Sequence, residues 1–171
     1  MSDITHADPD LGLGHSLLQQ RLPPWEQAAA AAGYRVQRVE VYRPDARQAW
    51  LYGQGRTPEA LVAVGLDPAL ARAGAIVTNA WSAKTSAHGY VLADGTPAAA
   101  GADYCVLDGL GRLWAADADW AGFMAWCLAN EQTYAIRHFG PPLHPVTDRP
   151  HVQLVEWSDS WHDLTRLERG G

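Results

Sequence analysis

The stretch Ala102-Asp103-Tyr104-Cys105-Val106-Leu107-Asp108-Gly109 places a carboxylate, a short apolar run and an Asp-Gly turn in succession. Tyr104–Leu107 reads as a buried strand closed by that turn. Working outward, Val39-Glu40-Val41-Tyr42 alternates as a strand does, Ala75-Ile76-Val77-Thr78 reads as a short buried strand, and Val152-Gln153-Leu154-Val155 as the last one. Helical segments lie between them. A first helix runs from Trp25 through the alanine run to Gly33, with Pro24 near its N-terminal turn, leaving residues 1–22 as a loose arm. Asp45 starts a second helix through Tyr52, stopped by Gly53 and Gly55. Thr57-Pro58 and Asp67-Pro68 each set a capping side chain before a first-turn proline, and Gly74 ends the second of these pieces. Asp119 caps the clearest helix, whose Trp120, Phe123, Met124, Cys127 and Leu128 form one apolar stripe suited to a core. Few strands, irregularly connected, predict an α+β fold: a small antiparallel sheet with packed helices, in one domain over residues 23–171.

Bulk properties narrow the function classes. The chain has 171 residues, 47% hydrophobic and 19% charged, which suits a globular domain with a real core. A net charge of -6 without a Lys/Arg block argues against a nucleic-acid partner. No run approaches the roughly 18 apolar residues that span a bilayer, so no membrane insertion is expected. The opening Met1-Ser2-Asp3-Ile4-Thr5-His6 is polar and carries no signal-peptide h-region, so the expected location as synthesised is cytoplasmic. Cys105 and Cys127 sit in apolar contexts and read as buried free thiols.

Chemistry concentrates in three short segments. Ser86-Ala87-His88, Ala102-Asp103-Tyr104 and Asp148-Arg149-Pro150-His151 supply two histidines and two carboxylates. Those residue types suffice for a three-ligand zinc site with an open water position, plus a general base. Hydrolysis is the reaction class this implies.

Order adds to composition. Tyr42-Arg43-Pro44, then Gln48 and Leu51-Tyr52 before Gly55-Arg56-Thr57, then Val77-Thr78-Asn79-Ala80, Ser86-x-His88, Ala102-Asp103 with Leu107-Asp108-Gly109, and Asp148-x-Pro150-His151-x-Gln153 form a series. This series resembles the zinc peptidases of bacterial cell-wall peptides: D-alanyl-D-alanine carboxypeptidases, vancomycin-resistance-type dipeptidases, and L-alanyl-D-glutamate endopeptidases of phage lysis. The resemblance covers about residues 40–157. It implies the D-Ala-D-Ala carboxypeptidase-like fold, with Zn2+ held by His88, Asp103 and His151. It further implies Asp148 as general base, Arg43 near the substrate carbonyl or carboxylate, and Ser86 lining the site.

One departure stands out. Fourteen residues separate His88 from Asp103, more than in the family, and the additional segment Leu92-Ala93-Asp94-Gly95-Thr96-Pro97 has turn chemistry. Asp94 is thereby a rival ligand, whereas Asp103 opens the strand and turn that follow the ligand in the family. His6, His15, His144 and His162 read as surface residues, and His138 as a structural residue of a loop. The expected protein is a monomeric peptidoglycan hydrolase. Cleavage between L-alanine and D-glutamate in the manner of a phage endolysin, acting on the wall after release, is its leading form. A D,D-carboxypeptidase or dipeptidase is the alternative within the class. A non-catalytic wall-peptide-binding module with a degenerate site is the alternative outside it.

Overall fold

A computed structural model describes residues 4–82, 86–112, 119–138 and 151–157 of the chain. Among these it is an α+β protein with four α-helices and a four-stranded antiparallel sheet. The helices are α1 (Ser16–Ala31), α2 (Asp45–Tyr52), α3 (Pro58–Val62) and α4 (Trp120–Tyr134). The strands are β1 (Val36–Glu40), β2 (Gly101–Val106), β3 (Ile136–His138) and β4 (His151–Leu154), in the order β1-β2-β4-β3. Antiparallel neighbours are consistent with the expected small sheet, and β2 is the strand that opened the sequence reading.

Helix α1 starts at Ser16, nine residues before the predicted Trp25, so residues 16–22 of the expected arm are helical. Pro23 and Pro24 lie inside the helix, where each lacks the N–H for an i−4 bond. The helix persists because Leu18, Leu22, Trp25 and Ala29 fall on one face across the prolines, all fully buried. His15 caps the start, its Nδ1 accepting from the Leu17 N–H at 3.2 Å. α1 and α4 cover one face of the sheet. Leu18, Leu22, Trp25, Phe123 and Cys127 pack there against Ala102, Tyr104 and Val106 of β2 and Val152 and Leu154 of β4.

Helices α2, α3 and α4 and the Thr57, Asp67 and Asp119 caps form as the sequence predicts, although the piece after Asp67 is a single turn, Pro68–Leu70. The segment Ala75–Thr78 is a correction. It belongs to no strand, and Ile76 and Val77 are 58% and 60% exposed. An apolar run alone supplies no pairing partner, and none of the four sheet strands pairs with this segment. Strand β1 lies earlier than predicted, Val36–Glu40 rather than Val39–Tyr42. His138 belongs to β3 rather than to a loop, buried and edge-on to Phe123.

The other face of the sheet carries the polar residues. Cross-strand partners share a face, and Asp103 of β2 lies opposite His151 of β4 and Glu40 of β1. Glu40 reaches this row through a β-bulge. Arg38 pairs with Tyr104, but Glu40 pairs with Asp103, so Val39 is the additional residue. Arg38 therefore faces the helices and binds Glu26 of α1, while Glu40 is turned to the opposite side.

Candidate metal centre

Three segments converge on the polar face of the sheet. Asp103 and His151 arrive as a cross-strand pair, and His88 arrives on the turn Ala87–Gly89. Ser86 caps that turn, its hydroxyl accepting the His88 N–H at 3.3 Å. Two bonds fix the turn to the chain after β1: the His88 carbonyl accepts from the Arg43 N–H at 2.9 Å, and His88 Nδ1 donates to the Val41 carbonyl at 2.8 Å.

The facing atoms form a small triangle. His88 Nε2 lies 3.1 Å from Asp103 Oδ1 and 3.0 Å from His151 Nδ1, and His151 Nδ1 lies 3.1 Å from Asp103 Oδ1. Ligand atoms about 2.0–2.1 Å from a tetrahedral zinc stand about 3.3–3.4 Å apart, so the triangle is within a few tenths of an ångström of a metal's requirement.

The remote nitrogens decide which atoms carry protons. Val41 O can only accept, so His88 Nδ1 bears a proton and Nε2 is the nitrogen turned inward, whose lone pair a metal would take. On His151 the remote atom is Nε2, 3.1 Å from Gln153 Oε1. The Gln153 amide nitrogen is committed to the Trp157 carbonyl at 3.0 Å, so its oxygen faces the histidine and His151 Nε2 donates. Nδ1 then turns its lone pair inward as well. Two imidazole lone pairs and a carboxylate oxygen thus face one point, with their outer partners in place, as at zinc sites. These residues fit a divalent metal with nitrogen and oxygen ligands.

His88 and His151 are buried, and Asp103 is partly so. Burial opposes ionisation of Asp103, but the positive charge of a protonated His88 and the hydrogen bonds that protonated inward nitrogens of both histidines donate outweigh it and hold the carboxyl well below the usual range; a bound cation would take the place of those protons. Asp103 Oδ2 faces away from the triangle and accepts from Arg43 Nη2 at 2.9 Å. Gly101, two residues earlier on β2, explains how the His151 ring fits. A Cβ there would lie 2.8 Å from His151 Cε1 and 3.0 Å from the Ala87 Cβ.

The predicted ligands His88, Asp103 and His151 are brought together, and the rival Asp94 is not. Asp94 sits at the exposed tip of a hairpin closed by Val91 and Pro97, its carboxylate accepting the Thr96 N–H at 2.9 Å. The hairpin projects outward and returns the chain at β2, so the longer spacing leaves His88 and Asp103 in contact. Arg43 also comes to the site, held beside Asp103 by Glu40 Oε2 and Gln48 Oε1. Ser86 is present as the cap of the His88 turn. Asp148 lies outside the described residues.

Two residues here carried no role in the sequence reading. Gln153, part of a quoted motif, orients His151. Glu40 binds both Arg43 and Arg47 and is 3% exposed. In the alternating stretch Val39–Tyr42 a carboxylate at position 40 reads as an ordinary polar position of a strand, so the sequence offered no signal for it. No family model matches the chain, and no curated protein matches it either.

Proposed function

We propose that the chain is a zinc-dependent peptidase hydrolysing peptidoglycan stem peptides, with an endopeptidase cutting between L-alanine and D-glutamate as the leading form. The observation that carries this reading is the triangle of His88 Nε2, Asp103 Oδ1 and His151 Nδ1, whose lone pairs face one point. The substrate class comes from the resemblance in motif order. Two neutral imidazoles and one carboxylate are the donor set of a catalytic zinc site, where a closed structural site would take four protein ligands.

Bound zinc would lower the pKa of a water towards about 7 and polarise the scissile carbonyl. His88, Asp103 and His151 hold the ion in this scheme. Asp148, three residues before His151, takes the proton of the attacking water and delivers it to the leaving amine. Arg43 has five N–H groups, of which four engage Glu40, Gln48 and Asp103. The remaining one, on Nη1, has no partner among the described residues, and in this scheme it stabilises the oxygen that gains charge during attack.

The decisive experiment combines elemental analysis of the purified protein with release of amino groups from purified peptidoglycan, with and without chelator. One zinc per chain and chelator-sensitive release are expected, and mass spectrometry of the fragments separates L-Ala-D-Glu cleavage from loss of terminal D-alanine. His88→Ala, Asp103→Ala and His151→Ala should each lose metal and activity. Asp94→Ala should keep both, and Asp148→Ala should keep metal while losing activity by several orders of magnitude. Zinc uptake without cleavage of any wall peptide would leave a binding module instead.

A further inference from the structure

We propose that Glu40 is a positioning residue of the metal centre: by holding Arg43 it keeps Asp103 Oδ2 off the metal, so that Asp103 serves as a one-oxygen ligand. This rests on the reading of His88, Asp103 and His151 as ligands. Oδ1 of Asp103 faces the two histidines, and Oδ2 accepts from Arg43 Nη2 at 2.9 Å. That same Nη2 also donates to Glu40 Oε2, which takes the Arg43 Nε at 2.8 Å. The guanidinium is therefore a rigid bridge between two carboxylates, and its plane is set from the Glu40 side. Glu40 Oε1 accepts from Arg47 Nε, and Arg47 Nη1 donates to the Ile4 carbonyl at 2.9 Å, which anchors the carboxylate in turn.

The fold builds this arrangement at a cost. The bulge at Val39 is what turns Glu40 from the helix-covered face to the site face. Glu40, Arg43 and Arg47 are each more than nine-tenths buried. Buried ion networks contribute little net stability compared with apolar packing of similar volume, so stability alone does not account for this one. Fixing a ligand's second oxygen does. A carboxylate that binds through both oxygens fills a position that a catalytic centre leaves to water and substrate.

Cobalt(II) titration of the full-length chain tests this, because the visible absorption of cobalt reports ligand number and geometry. In Glu40→Gln the bridge to Arg43 weakens, Oδ2 is freed to approach the metal, and the coordination number rises. The expected result is a clear fall in visible absorptivity together with roughly 10–100-fold weaker cobalt affinity. The double variant Glu40→Gln/Arg47→Gln removes one charge of each sign, keeps the cluster balanced, and should reproduce the shift. Arg47→Gln alone loosens the anchor of Glu40 but leaves its carboxylate on Arg43, and should shift the spectrum less than Glu40→Gln does. Folded Glu40 variants with wild-type spectrum and affinity would overturn the proposal. So would failure of both Glu40 variants to fold, which would make Glu40 architectural. Wild-type protein that takes up neither cobalt nor zinc would instead overturn the metal reading beneath it.

Discussion

Gly101 shows how much one missing side chain decides. His151 lies where a Cβ on residue 101 would stand, with the Val152 carbonyl a further 3.1 Å contact. Gly101→Ala must therefore displace the imidazole or the Ala87 turn, each of which leads to a ligand. Its expected effects are at least tenfold weaker zinc binding and a stability loss of about 1–3 kcal/mol, read by competition with a chromogenic chelator and by thermal unfolding. A variant with unaltered zinc affinity would show that the ring has room to move. The ligands themselves were legible as residue types in a known order. The tautomers were not, because they depend on Val41 O and on the orientation of Gln153, which are contacts across the sheet.

At the scale of elements, the N-terminal helix makes the sharpest prediction. Removing residues 1–22 takes Leu18 and Leu22 out of the core and severs the Arg21–Glu156 pair at 2.6 and 2.7 Å. Each buried leucine contributes about 2–5 kcal/mol, against a typical total stability of about 5–15 kcal/mol. The truncated chain is expected to lose cooperative unfolding, and a sharp calorimetric transition would contradict this. The stripe Leu18, Leu22, Trp25, Ala29 was present in the sequence, but the Pro23-Pro24 pair reads locally as a helix start. Tertiary burial of the stripe outweighs the two missing hydrogen bonds.

Helix α4 supplies a prediction in pH. Cys127 is buried against the sheet, and burial pushes its thiol from 9.0 up to about 12. The unfolded chain loses that proton first, so the stability linked to it is intact below pH 9 and declines as pH rises from about 9 to about 12. Chemical denaturation at pH 8 and pH 10.5 should show the drop, and Cys127→Ala should reduce it. Neither Cys127 nor the equally buried Cys105 should react with a thiol reagent before unfolding.

For the whole molecule, a bound metal would be linked to folding. The candidate ligands come from the turn after residue 86, from β2 and from β4, so an ion that bound only the folded chain would clamp segments far apart in sequence. Zinc at one hundred times its Kd should add about 2.7 kcal/mol, which corresponds to a rise in Tm of about 5–11 °C that chelator reverses. His88→Ala should abolish the rise, and a zinc-independent Tm in the wild-type protein would count against a site formed on folding. Among the described residues no helix is long and apolar enough to cross a membrane.

The sequence by itself determined the α+β class, helix α2, the capped helices α3 and α4, the turn around Asp94 and the set of candidate ligands. Each of these rests on local rules: a capping oxygen, a proline's fixed φ, a turn residue, a short apolar run, or a motif read in order. Tertiary structure decided what depends on distant partners. It extended α1 through two prolines because a buried stripe spans them. It left Ala75–Thr78 without a strand to pair with. Through one additional residue at Val39 it turned Glu40 towards Arg43, and through the pairing of β2 with β4 it set Asp103 beside His151. Local patterning fixes what an element is, whereas register and burial fix which of its faces meets the site.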